Sequence, residues 1–102
     1  MPQPRATVII PTLGAGPVLL ECLAALQVQR FSPFEIVVVD NSGAGLAREA
    51  KGQFPDINLI QNSSNKGFGG AVNQGIRATS AEFIAVLNDD AIPCPDWLGA
   101  LV

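Results

Sequence analysis

The 102-residue chain has no histidine and no tyrosine, one tryptophan, one methionine and two cysteines. Without histidine, the commonest general base near neutral pH and the commonest nitrogen ligand for metals are both excluded. Any metal must then be a hard ion held by oxygens. Cys22 and Cys94 are isolated thiols with no C-x-x-C spacing, which fits small buried hydrophobes in a reducing compartment. Charged residues make up only 15% of the chain, and the six cations (Arg5, Arg30, Arg48, Lys51, Lys66 and Arg77) are scattered. Without a basic stripe, and with a net charge of −3, nucleic acid is not an expected partner. No apolar run approaches the roughly 20 residues needed to span a bilayer. The opening "MPQPRATVII" lacks the layout of a signal peptide, so the expected location is cytoplasmic.

What is present is apolar and patterned. Hydrophobic residues form 48% of the chain, which indicates globular material and one small domain, or part of a larger one. Four runs read as fully buried strands: "ATVII" (6–10), "EIVVVD" (35–40), "INLIQN" (57–62) and "EFIAVLN" (82–88). Continuous β-branched runs of this length suit a parallel sheet covered on both faces. Between them lie segments of helical character. Leu19, Cys22, Leu23 and Leu26 recur at helical spacing after Gly16 and Pro17, and proline suits a first helical turn. A shorter helix is expected over 45–54, and a third over 68–80 with Phe68, Val72 and Ile76 on one face. The β-α-β-α-β-α-β order predicts right-handed crossovers and a doubly wound, mostly parallel α/β sheet with helices on both faces. The chain closes on "PDWLGALV", the opening of a further helix, so it is expected to be the N-terminal part of a longer protein.

In an open parallel α/β sheet, ligands bind outside the carboxyl ends of the strands. Here every strand exit is small and polar: Pro11, Thr12, Leu13 and Gly14; Asp40, Asn41, Ser42 and Gly43; Asn62 to Gly67; and Asn88, Asp89 and Asp90. That is a crevice for a polar ligand. Asp40 suits either a turn cap or a hydrogen bond to a nucleoside. The loop "NSSNKGFGG" is either an ordinary turn or the approach to a helix N-terminus that favours an anion such as a diphosphate. Lys66 beside it adds a point charge. Asn73 and Gly75 are poor helix formers, which points to close packing or to an amide facing the crevice. Asp89 and Asp90 repel each other at the end of a greasy strand. A divalent cation offsets that repulsion, and oxygen-only ligation points to Mg²⁺ or Mn²⁺ bridging to substrate phosphates.

Together, "VIIPTLG", "EIVVVDNSG", "NKGFGGAVNQGI" and "VLNDDAIPCPDWL" resemble the family 2 glycosyltransferases of GT-A fold over roughly residues 6–102. The third and fourth segments are most similar to the branch containing rhamnosyltransferases and other cell-surface polysaccharide enzymes. The resemblance implies that Pro11, Thr12 and Leu13 line a nucleobase and ribose pocket. It implies that Asp40 bonds the base, commonly uracil or thymine, flanked by Asn41 and Ser42. Asn65, Gly67 and Asn73, with Lys66, would shape the wall near ribose and diphosphate. "NDD" would stand for the family's DXD metal site: Asp90 on the cation, Asp89 nearer the ribose or a metal-bound water, and Asn88 departing from the usual first acid. The implied partners are a UDP- or dTDP-sugar and an acceptor glycan or lipid-linked glycan. The implied reaction is a hexosyltransferase-type inverting displacement at the anomeric carbon. Its catalytic base is expected beyond Val102, so no catalytic residue is expected here and the chain alone is expected to be inactive. Membrane association would come through the remainder of the protein, and an open sheet edge leaves a homo-oligomer as an expectation.

Other readings are weaker or stay open. A dinucleotide-binding G-x-G-x-x-G fails, because Leu19 stands where the third glycine belongs after Gly14 and Gly16. A nucleotidyltransferase would carry Arg or Lys in "PTLGAGPVL". A non-catalytic nucleotide-binding or interaction module remains as the alternative from a different class.

Overall fold

The two strands richest in β-branched residues take the centre of the sheet. β1 (Ala6–Thr12) and β2 (Phe34–Asp40) pair in parallel over seven residues, from Ala6 opposite Phe34 to Thr12 opposite Asp40. Short strands flank them: β3 (Asn58–Gln61) on β2 and β4 (Phe83–Val86) on β1, both parallel. The order is therefore β3-β2-β1-β4. Helices α1 (Pro17–Leu26), α2 (Arg48–Gln53), α3 (Gly67–Arg77) and α4 (Trp97–Leu101) alternate with them. The structure, a computed structural model, describes residues 4–14 and 16–102. It has the doubly wound α/β architecture expected from the chain pattern.

Side-chain alternation divides the strands between two cores. Ala6, Val8, Ile10, Ile36 and Val38 meet Leu19, Cys22, Leu23 and Leu26 of α1, Ala50 of α2 and Leu98 of α4. On the opposite face, Ile9, Val37 and Val39 meet Ala71 of α3, with Ile60 packed alongside. α4 is tied to the end of α1 by Gln29, whose side chain donates to the Cys94 carbonyl at 2.5 Å and accepts from the Leu98 amide at 2.9 Å.

Three expectations need correction. β3 and β4 are not fully buried: they are edge strands, and Ile84 and Val86 are 40% and 41% exposed. Their register with Thr7 and Ile9 places them on the α3 face. One helix about 10 Å wide does not cover four strands spaced about 4.8 Å apart. Second, the face of α3 that meets the sheet is not its bulky apolar one. Phe68 and Ile76 are exposed, whereas Ala71 and Gly75 are buried. Small residues let the helix backbone lie against the branched chains of β1. Third, Cys94 is exposed, and only Cys22 is a buried thiol.

At the amino end of the sheet, Thr79 locks the end of α3. The hydroxyls of Thr7 and Thr79 lie 2.8 and 2.5 Å from the same Glu35 carboxylate oxygen and donate to it. Among the described residues no helix is long and apolar enough to cross a membrane.

The α3–β1 contact yields a test. A Cβ at Gly75 would sit 2.7 Å from Ile9 Cγ2, whereas one at Gly69 would meet nothing within 4 Å. Gly75→Ala is expected to lower unfolding free energy by about 1–3 kcal/mol through overpacking. Gly69→Ala is expected to leave it unchanged or raise it by up to about 1 kcal/mol. Urea denaturation of the two variants checks the contrast.

Candidate functional site

Because all four strands are parallel, their carboxyl ends share one rim. The chain steps from β1 to β2 to β3 in one direction and then returns to place β4 on the other side of β1. The exits of β1 and β4 therefore diverge at a topological switch point, where α/β sheets open a crevice. A cavity of about 430 Å³ lies there, lined by Pro11, Thr12, Leu13, Asn41, Asn65, Gly67, Phe68, Asn88, Asp89 and Asp90. The structure thus gathers residues from all the segments singled out in the sequence. Asp40, Ser42, Lys66 and Asn73 do not line the cavity.

Thr12 organises the near wall. Its hydroxyl accepts from the Gly14 amide at 2.8 Å and donates to Asp89 at 2.7 Å, so β1 orients a carboxylate carried by the turn after β4. Asp89 is half-buried, while Asp90 and Asn88 are exposed at the mouth. The buried Cys22 lies behind the same turn, with Sγ 3.7 Å from the Asn88 carbonyl. Burial, reinforced by the negative charges of Asp89 and Asp90, pushes its thiol pKa up to about 11. It stays protonated at neutral pH.

Asp40 has a different station. At the tip of β2 and 1% exposed, it accepts from the Ser42 amide at 2.8 Å and from the Ala47 amide at 2.9 Å. Burial by itself would raise its pKa. The amide of Ala47 and the hydroxyl and amide of Ser42 outweigh that effect and hold it below the usual 3.8. Gly14 seals it from above: at φ +87°, a Cβ there would meet Leu46 at 2.8 Å and Asp40 itself at 3.2 Å. Of the two roles open to this residue type, the geometry displays the cap. The Ser42 hydroxyl accepts from the amides of Ala44 and Leu46, closing the same loop.

One residue that sequence reasoning passed over, Gln74, joins Asn62 and Asn41 of the polar strand exits in holding the far wall. Asn62, at the exit of β3, donates to Asn41 Oδ1 and to Gln74 Oε1, both at 2.8 Å, and accepts from Gln74 Nε2 at 2.8 Å. Asn41 Nδ2 donates to the Gly67 carbonyl at 3.0 Å, and Asn41 Oδ1 also accepts from the Lys66 amide. Asn65 Oδ1 accepts from the Gly67 amide at 2.7 Å. Asn73, expected to face the crevice, is exposed, and its neighbour Gln74 supplies the inward amide. The helix geometry accounts for this once Ala71 is seen to face the sheet. At 100° per residue, Gln74 lies about 60° from Ala71 around the helix, whereas Asn73 lies about 160° away. Phe68, read as a helix-face residue, is 58% exposed and lines the cavity.

Among the described residues no three of His, Cys, Asp or Glu cluster as a metal cage. Two carboxylates beside an amide oxygen do not make a closed site. They do fit a Mg²⁺- or Mn²⁺-type ion, which takes one or two protein carboxylates and completes its shell with water and phosphate oxygens.

The family model described as "Glycosyl transferase family 2" matches residues 7–102. The chain belongs to that family. Its fold is the GT-A α/β fold. Among similar curated proteins, the family 2 chain is 30% identical over 101 residues to the succinoglycan biosynthesis protein ExoO of Rhizobium meliloti, covering 97% of this chain and 29% of that protein. The mannosyltransferase PcManGT from Pyrobaculum calidifontis, solved with GDP-Man and Mn²⁺, superposes with a TM-score of 0.78 at 28% identity over 94% of this chain and 32% of that one. TarS 1–349 of S. aureus, solved with UDP-GlcNAc, gives a TM-score of 0.81 at 25% identity over 95% and 30%. The chain thus spans about three tenths of the length of these relatives.

The Asp40 cap carries a pH dependence. With a folded pKa below the ordinary value, its contribution is complete above pH 3.8 and is lost as pH falls from there through the folded pKa. The urea midpoint of the wild type is expected to drop over this acid window more steeply than that of Asp40→Asn. At pH 7 that variant is expected to be less stable by about 1–3 kcal/mol, since it loses charge-assisted hydrogen bonds.

Proposed function

We propose that this chain forms the donor-binding part of a glycosyltransferase that moves a hexose from a nucleoside-diphosphate sugar to an acceptor hydroxyl, with inversion, in cell-surface polysaccharide or glycoconjugate synthesis. The observation that carries the reading is the cavity at the switch point, where the β1 exit, the Asn65–Phe68 loop and the Asn88-Asp89-Asp90 turn converge. Apolar Pro11, Leu13 and Phe68 offer flat contact for a base and ribose. Asn41 and Asn65 offer amides for hydroxyls and phosphate oxygens, and Gly67 at the start of α3 borders the same space without a side chain. Asp40 acts in this reading by holding the loop behind the base side of the cavity.

Asp90 would hold a Mg²⁺ or Mn²⁺ ion, with Asp89 beside it and Asn88 as a neutral third group. When bound, such an ion offsets the negative charge that develops on the leaving diphosphate. Thr12 contributes by fixing the orientation of Asp89, so one carboxylate is already placed before a ligand arrives. The base that takes the acceptor proton lies outside this chain, so the chain binds donor without turning it over. The solved relatives carry uridine and guanosine donors, and the base therefore belongs in the test.

Isothermal titration of the chain with UDP, dTDP and GDP, with and without Mn²⁺, tests the reading. Binding of one of them, tightened by Mn²⁺, is expected. Asp90→Ala is expected to remove most of the metal-dependent gain, about ten-fold or more in Kd for a lost charged partner. No binding by any nucleotide, or binding indifferent to both Mn²⁺ and Asp90→Ala, overturns it.

A further inference from the structure

The far wall of the cavity is set from a residue that does not touch the cavity. Asn41, Asn62 and Gln74 form a chain of side-chain amides in which each nitrogen and each oxygen has a hydrogen-bond partner. Asn41 and Asn62 are 5% and 8% exposed, so solvent does not supply substitutes for these bonds. Gln74 meets Asn62 through two reciprocal bonds. That pairing leaves the second Asn62 N–H for Asn41 Oδ1, while Asn41 Nδ2 donates to the Gly67 carbonyl. Turning any one amide over would set N–H against N–H, or oxygen against oxygen, along the whole line. The Asn41 amide is thus held between the loop backbone (the Gly67 carbonyl and the Lys66 amide) on one side and the Asn62–Gln74 pair, on the half-buried flank of α3, on the other.

We infer that Gln74 is a positioning residue for donor binding. Through Asn62 and Asn41 it holds the Asn65–Phe68 wall in its open, ligand-accepting shape. Within the loop, Asn65 accepts from the Gly67 amide at 2.7 Å, Gly67 sits at φ +77° and Lys66 gives α3 no side-chain cap, while Asn41 ties the loop to the sheet rim. A buried network that is fully satisfied is rigid, and removing one member strands its partners. The ligand part of this inference rests on the donor-binding reading above, whereas the shape of the wall does not.

The test compares the wild-type chain with Gln74→Leu, Gln74→Glu and a control, Thr79→Val. The control cuts the Glu35 cluster at the opposite end of the same helix. Two quantities are read: amide hydrogen exchange at Lys66–Phe68, and Kd for UDP with Mn²⁺. Gln74→Leu is expected to speed exchange at the Lys66 amide and to weaken UDP about ten-fold, as stranding a buried amide partner does. Gln74→Glu keeps one acceptor but sets an oxygen against Asn62 Oδ1; it is expected to act the same way, and it serves if the leucine variant does not fold. Thr79→Val, even at equal loss of global stability, is expected to leave both readouts within about two-fold, since effects at distant sites are independent. Exchange at Lys66–Phe68 that is unchanged by both Gln74 variants, or raised equally by Thr79→Val, overturns the inference whatever the affinity does. If the wild type binds no nucleotide while the Gln74 variants loosen the wall, the donor reading fails and the positioning role stands.

Discussion

The parallel pairing of β1 with β2 on one side and β4 on the other is the constraint on which the rest depends. It places all strand exits on one rim, and the return of the chain across β1 parts two of them. Side chains 77 residues apart, Thr12 and Asp89, meet across that gap. The two seven-residue central strands supply the rigidity, because both their faces are packed and their groups are paired. A ligand site built at the tips of such strands needs little reorganisation on binding.

Polar residues do two kinds of work around the rim, and their residue types do not separate them. Asp40 and Ser42 are spent on the protein's own loop, where backbone amides fill the carboxylate and the hydroxyl. Asp90, one position past a carboxylate held by Thr12, stays at the mouth with room for an external partner. Behind them, the amide line from Gln74 to Gly67 couples the packing of α3 to the shape of the cavity. Close approach of α3 makes that coupling available. Gly75 against Ile9 brings the helix near enough for Gln74 to reach Asn62.

Much of the fold was legible in the chain. Unbroken β-branched runs separated by helical spacing specify a doubly wound parallel sheet, and punctuation by Gly and Pro marks the turns. Edge status was not legible, because a run such as Phe83–Val86 reads alike whether one helix or two lie over it. The buried side of α3 was missed because Phe68 and Ile76 outweigh Ala71 and Gly75 on any apolar scale. Sheet contact instead favours the pair that allows close approach. The same inversion hid Gln74 behind Asn73.

The sequence by itself determined the element order, the polar exits, the absence of any imidazole and the carboxylate pair at 89–90, because these depend on local pattern and composition. Only the tertiary structure decided which exits share a cavity, that Asp40 is turned inward onto its own loop, and that Asn62 joins Asn41 to Gln74. Those outcomes depend on strand order and on the depth to which α3 settles on the sheet. Both are set by contacts between residues distant in the chain, which no local spacing encodes.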